Sequence, residues 1–234
     1  MKLAIVIPTI NEEANLKVLL PKINSLFPSA KIFVIDDLST DDTVAVAKKY
    51  QCIIPYTVAK RGLGMSYAEG VARAFYEHEC DIVATMDADH PAEALQAMWT
   101  VFELEYFDFE HGVSMCIGHE LGTRRITSIG ASWIAKKLLG IKYIRQPTCG
   151  LMMFSKDLID KIGLRNIKSE SDTWHLELLF LAIKKRAKIA EVNFNGIKHG
   201  RASLLRTMNW LDEVVGIKIR SFKEHLQVVR KRQN

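Results

Sequence analysis

An α/β fold around a mostly parallel sheet is predicted by three features of the sequence. Apolar runs of strand length recur with helix-length segments between them, the runs are continuous rather than alternating, and a polar cluster follows each run in the first half. Continuous runs suit strands covered on both faces, the environment of a parallel sheet. Strand–helix units of this length imply right-handed crossovers. Ligands of such sheets bind outside the carboxyl ends of the strands.

Leu3–Pro8 is the first strand, and Asn11 is placed to cap a helix whose Leu16, Leu19, Leu20, Ile23 and Leu26 follow helical spacing. Ile32–Ile35 is the second strand, after which Ser39 or Thr40 opens a helix carrying Val44, Val46 and Ala47. Residues 52–57 read as a third strand, Met65–Phe75 as a helix, Asp81–Met86 as a fourth strand, and a helix begins near Ala92. The second half is less regular. Val113–Gly118, Gly150–Phe154 and Ile189–Phe194 read as strands; Ile126–Leu139, Trp174–Lys185 and Met208–Arg230 read as helices. No repeat or linker interrupts the chain, so one domain is expected, with halves at about 1–115 and 116–234.

The composition, 48% hydrophobic and 25% charged, is that of a folded globular protein. A net charge of +5 suits an anionic ligand, a membrane surface or nucleic acid without choosing among them. Cys52, Cys80, Cys116 and Cys149 are widely spaced and form no CxxC pair, which favours buried thiols in a reducing compartment. The start of the chain is too short in apolar residues for a signal peptide and reads as a buried strand. No stretch approaches the ~20 apolar residues of a spanning helix, so a cytoplasmic location is expected, with any membrane contact made from the side.

Asp87-Ala88-Asp89 is the central chemical feature. It follows the run Ile82–Met86, so both carboxylates leave the end of a strand, and their spacing points them the same way. Paired carboxylates are hard-oxygen ligands for Mg²⁺ or Mn²⁺, ions that complete their shells with phosphate oxygens and water. Three further clusters stand at strand ends: Thr9–Glu12, Asp36–Asp37 and Lys60–Gly64.

In order, VIPTINEEANL, VIDDLSTDDT, RGLGMSYAEG and TMDADHPAE resemble the nucleotide-binding half of family 2 glycosyltransferases of the GT-A type. Later segments, IGHELGTRRITSIGASWIAKKLLG, TCGLMMFSKDLI and ESDTWHLELLFLAIKKRAKIAEVNF, look like those of dolichol- or polyprenyl-phosphate mannosyl- and glucosyltransferases. The resemblance spans about residues 3–205. It implies a Rossmann-like nucleotide-sugar-binding half joined to an acceptor half. By that resemblance Pro8, Thr9, Asn11, Glu12 and Asp36 line the base and ribose pocket, and Lys60, Arg61 and Gly62 lie near phosphates. Asp87, Ala88 and Asp89 meet the metal and diphosphate. Arg124, Arg125 and a basic cluster of Lys198, His199, Arg201 and Arg206 face an acceptor phosphate, and the Ile126–Leu139 helix lies at a membrane interface. Turn chemistry, helix capping and solvated charge are the competing readings of these positions, Asp37, Ser39 and Asp41 included. Glu177 matches a family glutamate, and a structural role serves it equally.

Departures from the family pattern gather on the acceptor side. His90-Pro91 follows the second aspartate at once, and Pro91 cannot ligate; His90 is the substitute ligand, one that favours Mn²⁺. Gln146 stands where the family has an acid, the arginine after Ile-Gly-Ser is replaced in Ile117-Gly118-His119-Glu120, and the signature ending at Leu204 is degraded. Asp172 stands where lipid-phosphate members carry an aromatic residue.

Three functions compete. Transfer to a polyprenyl phosphate needs no strong base, because that nucleophile is already ionised. Transfer to a hydroxyl on a sugar, a small molecule or a modified nucleobase needs one, and Asp172 is the candidate, with Glu170 second. A catalytically dead sugar-nucleotide-binding protein is the third. The first is the expectation. Nucleic acid is not the expected partner, although the mild positive charge leaves room for one and no DNA-binding motif is present.

Overall fold

A computed structural model describes residues 1–106, 113–121, 126–195, 210 and 212–221. The first strand, β1 (Leu3–Thr9), is buried along its whole length, as its unbroken apolar run requires. Helix α1 (Glu13–Leu26) follows, then β2 (Lys31–Asp36), α2 (Thr43–Lys49) and α3 (Leu63–Ala72). A single π turn at Arg73–Glu77 extends α3, and β3 (Ile82–Thr85) and α4 (Ala92–Tyr106) complete the first half. Beyond it come β4 (Met115–Leu121), α5 (Ile126–Leu139), β5 (Met152–Ser155), α6 (Lys156–Ile162), α7 (Trp174–Lys184) and β6 (Ile189–Asn195). Residues 212–221 are helical.

Among the described residues six strands make one sheet in the order β2-β1-β3-β5-β4-β6. Strand β1 pairs in parallel with both β2 and β3, and β4 with β6, whereas β5 runs antiparallel to β3 and β4. The chain therefore steps outward from β1 to β2 and back across β1 to β3. That reversal opens a crevice at the carboxyl ends of β1 and β3, where loops from adjacent strands diverge.

Residues 52–57 are not a strand; only Phe33 and Ile53 form a bridge beside β2. Pro55 lacks the N–H that would extend the ladder. Neither Ser39 nor Thr40 opens α2, which begins at Thr43. Asn11 does not cap α1 either. It adopts φ +57°, and its Oδ1 accepts the Thr40 N–H at 2.8 Å. Helix α6 was not expected, although Ser155 caps it by accepting the Leu158 N–H and Gly163 ends it at φ +78°. Glycine is required at position 70, where a Cβ would stand 2.3 Å from Val6 Cγ1; its absence lets α3 lie close against β1. The four cysteines are free thiols.

Candidate active site

The loops after β1 and β2 clasp each other. Asn11 N–H donates to Ser39 Oγ and Glu12 N–H to Thr43 Oγ1, each at 2.8 Å, and Glu13 N–H donates to Asp41 at 3.2 Å. Amides at the start of α1 are thus satisfied by the neighbouring loop instead of a local cap. Asp36, only 7% exposed, accepts the Thr9 hydroxyl at 3.2 Å and the Ser39 N–H at 3.0 Å. Its carboxylate is engaged in shaping this floor. Asp37 turns the other way, accepting the N–H groups of Arg61 at 2.7 Å and Gly62 at 3.2 Å.

At the end of β3, donor atoms of Asp87, Asp89 and His90 lie within 4.8 Å of one another. Glu12 faces the two aspartates. Burial pushes its carboxyl up, the Asn15 amide draws it back, and the charges of Asp89, Asp87 and Asp41 push it up again. A carboxylate raised by its acidic neighbours in this way gains from a nearby cation. The donor set fits a hard divalent ion.

His90 does not fit as the third ligand. The backbone N–H of Asp87 donates to its Nδ1 at 2.8 Å, so the neutral ring carries its proton on Nε2, and neither nitrogen offers a lone pair while that bond stands. His90 instead fixes the turn that presents the aspartates. Asp87 and Asp89 remain as the carboxylates that could hold an ion.

Tyr67 was missed in the sequence because its place on α3 reads as core. It is fully buried, stacks on Trp174 at 5.7 Å, and donates its hydroxyl to Asp87 Oδ1. Burial, reinforced by the charges of Asp87, Asp172 and Asp89, pushes its phenol well above its usual value, so it stays a donor. Beneath it His175 is held neutral, brought down to about 3 by burial and then by His90; its Nε2 lies 3.0 Å from Thr85 Oγ1. Tyr67→Phe keeps the stacking ring and removes the donor. We expect Mn²⁺–nucleotide affinity about 10-fold weaker, as for one hydrogen bond to a charged group, with melting temperature little changed. Titration calorimetry and a thermal melt check both.

The Lys60–Gly64 loop is held from two sides. Asp37 grips it from β2, and from the second half the Glu170 carbonyl accepts the Gly64 N–H at 2.9 Å. Gly62 sits at φ +82°, a conformation that favours glycine. Lys60 is exposed, whereas the Arg61 guanidinium is paired with Glu69. Glu177 proves to be structural. Buried on α7, it accepts the N–H groups of Lys168 and Ser169 at 2.8 and 2.7 Å and pairs with Arg220 at 2.7 Å.

Pro8, Thr9, Asn11, Glu12, Asp36, Gly62, Asp87, Ala88 and Asp89 therefore converge at the ends of β1, β2 and β3. Asp172 joins them from the second half, close enough for its charge to bear on Tyr67. Arg124, Arg125, Lys198, His199, Arg201 and Arg206 lie outside the described residues.

The sequence profile described as Glycosyl transferase family 2 matches residues 4–163. The chain belongs to that family. It is 26% identical over 206 residues to polyprenol monophosphomannose synthase of Mycolicibacterium smegmatis, covering 80% of this chain and 74% of that protein. Against dolichol-phosphate mannosyltransferase of Pyrococcus furiosus it is 28% identical over 217 residues, covering 88% of this chain and 60% of that one. Glucosyl-3-phosphoglycerate synthase from Mycobacterium tuberculosis, solved with Mn²⁺, UDP and glucosyl-3-phosphoglycerate, superposes with a TM-score of 0.68 at 20% identity, over 92% of this chain and 78% of that one. The fold is GT-A.

In this family 2 glycosyltransferase the face of α5 divides. Ala135 and Leu139 pack inward, while Trp133 is 61% exposed and Ile129 is exposed beside it. Leu139 is thus a core residue, not part of an outer apolar face. A cavity of about 520 Å³ is bounded by Ile129, Ser132, Trp133, Lys136, Lys137 and Arg145, with Lys137 Nζ 5.0 Å from the centre of the Trp133 ring. Gln146, which stands in for the family acid, accepts the Glu120 N–H at 2.9 Å. Glu191 on β6 accepts the N–H groups of Arg145 and Gln146 at 2.9 and 3.0 Å. Among the described residues no helix is long and apolar enough to cross a membrane.

Proposed function

We propose that this family 2 glycosyltransferase is an inverting, metal-dependent hexosyltransferase. It moves a hexose from a nucleotide-sugar donor of the GDP-mannose or UDP-glucose type to a polyprenyl or dolichyl phosphate. The carrying observation is the carboxylate group of Asp87, Asp89 and Glu12 at the point where strand order reverses. Two relatives named for polyprenol- and dolichol-phosphate mannosyl transfer support the acceptor class, and the UDP and Mn²⁺ of the structural neighbour support the donor and the ion.

Asp87 and Asp89 would hold a Mn²⁺ or Mg²⁺ ion, which would supply charge neutralisation for the departing diphosphate. Around it, Pro8, Thr9, Asn11, Glu12 and Asp36 frame the nucleoside. Lys60 meets phosphate directly, and Arg61 does so by exchanging Glu69 for it. Arg124, Arg125 and Arg201 hold the acceptor phosphate, and the outward Trp133 and Ile129 with Lys136 and Lys137 seat α5 against an anionic membrane surface. A phosphate nucleophile is already ionised near neutral pH, so alignment for one in-line attack suffices and the anomeric configuration inverts. The chain works as one GT-A unit, its nucleotide-sugar half at about 1–115 and its acceptor half at about 116–234.

A second reading has its own observation. Asp172 is an acid near enough to Tyr67 for its charge to bear on that phenol, on the side where a hydroxyl acceptor would need a base. Asp172→Asn separates the two. With a phosphate acceptor kcat should fall less than about 10-fold; with a hydroxyl acceptor it should fall ~10²–10⁴-fold with donor affinity retained. The deciding measurement is mass spectrometry of products from GDP-mannose and UDP-glucose, each offered with a polyprenyl phosphate and with hydroxyl acceptors. Glycosylation of the hydroxyl acceptors alone would replace the first reading with the second.

A further inference from the structure

Asp172 and the Lys60–Gly64 loop share a support that lies far along the chain. Residues 212–221 place Glu213 against the loop that carries Asp172. Its Oε2 accepts the Ser171 hydroxyl at 2.6 Å and also the Thr173 hydroxyl, so one carboxylate oxygen grips both neighbours of Asp172. The same loop is anchored at its start, where Glu177 accepts the Ser169 N–H and hydroxyl at 2.7 and 2.8 Å. Between these two anchors the Glu170 carbonyl receives the Gly64 N–H at 2.9 Å. A Cβ on Gly64 would stand 2.5 Å from the Glu170 carbonyl carbon, so the two loops touch through backbone with no side chain between them. Charge-assisted hydrogen bonds are the stronger kind, and both hydroxyls here donate to an ionisable oxygen.

We propose that Glu213 is a positioning residue for sugar transfer. It locks Ser171 and Thr173, which sets Asp172 and, through Glu170, holds the Gly62–Gly64 turn against the donor phosphates. The inference rests on the transferase reading above. Through Glu213 the helical residues 212–221 take part in the geometry of the donor loop without touching a substrate.

Glu213→Ala leaves two hydroxyls without their acceptor, while Glu213→Gln retains an oxygen that accepts them. With GDP-mannose or UDP-glucose and a polyprenyl phosphate, Glu213→Ala should lower kcat by roughly 10–100-fold, the scale of a small misplacement, with donor KM nearly unchanged. Glu213→Gln should recover most of that loss. Val214→Ala is the control: Val214 is fully buried next door, and its truncation lowers the melting temperature without touching the Ser171–Thr173 grip. An equal kcat loss in Val214→Ala at matched melting temperature would make Glu213 merely structural and overturn the proposal, as would a Glu213→Ala enzyme within twofold of the parent. Hydrogen exchange of the Gly64 amide gives a readout independent of turnover. It should speed up about 10-fold or more in Glu213→Ala and stay slow in Glu213→Gln, as expected when a loop loses its anchor. Should the parent transfer neither hexose, the transferase reading fails; unchanged Gly64 exchange in Glu213→Ala is the separate failure of the positioning role.

Discussion

Asp89→Ala should abolish hexose transfer and leave the fold intact. Asp89 follows β3 in the loop that presents the acidic group, outside the sheet core, so its removal leaves the strand pairing of β3 with β1 and β5 untouched. The charges of Asp89 and Asp87 both push the Glu12 carboxyl up, so losing the Asp89 carboxylate relieves that repulsion on Glu12 in the free protein. The loss therefore falls on function. Removing one preorganised electrostatic partner of a leaving group costs ~10²–10³-fold in rate, and losing the cation as well should carry the loss beyond ~10³-fold. Asp89→Asn, which keeps shape and removes charge, should lose nearly as much. EDTA should reproduce both, with recovery on adding Mn²⁺. Full turnover by Asp89→Ala, or in excess EDTA, would remove the metal from the proposal.

Gly64→Ala carries the second large effect, through sterics. The new methyl would stand 2.5 Å from the Glu170 carbonyl carbon and 2.8 Å from both the Glu170 oxygen and the Ser171 nitrogen. These are backbone atoms on a loop fixed at both ends, so relief by a side-chain rotation does not exist. Overpacking of this kind costs about 1–3 kcal/mol, seen as a lower melting temperature. Separation of the loops should also displace the donor-side turn and cut kcat by ~10²-fold, the penalty of a shift near 1 Å. Gly130→Ala is the control, because a Cβ there meets nothing within 4 Å. In a helix interior that change should be neutral or mildly stabilising. Parent-like melting and turnover in Gly64→Ala would show that the loops are free to part.

The nucleotide half was legible because its signals are local. An unbroken apolar run makes a doubly covered strand, and acids directly after such a run must emerge at its end; β1, β3 and the Asp87–Asp89 pair follow from that alone. Capping was misread for the opposite reason. Asn11 has a good capping side chain, but its partner Thr40 comes from the next loop, 29 residues away, and no local pattern encodes that distance. His90 has the right chemistry for a ligand and lost the role to a backbone amide three residues before it. Tyr67 lies in a stretch that reads as helix and core, both of which it is. Its hydroxyl contact with Asp87 arises only when α3 packs against β1 and β2. Helix α6 could have been found, since Ser155 before Lys-Asp-Leu and Gly163 after Lys-Ile are ordinary start and stop signals.

Strand β5 runs against its neighbours, and this changes how the later chain gains access to the acidic group. In the parallel strands a residue reaches the crevice by following the carboxyl end of its strand. Gly150 precedes β5, yet a Cβ on it would lie 3.4 Å from Asp87 Oδ2, because Met152 is registered with Thr85 and the strand enters where β3 leaves. The segment between α5 and β5, residues 140–151, therefore brings Gly150 to the acidic group before the sheet is joined. Length or composition can change there without adding a crossover and without disturbing the pairing of β1, β2 and β3. Substitution at position 150 can therefore alter the surroundings of Asp87 while the pairing of β1, β2 and β3 stays fixed.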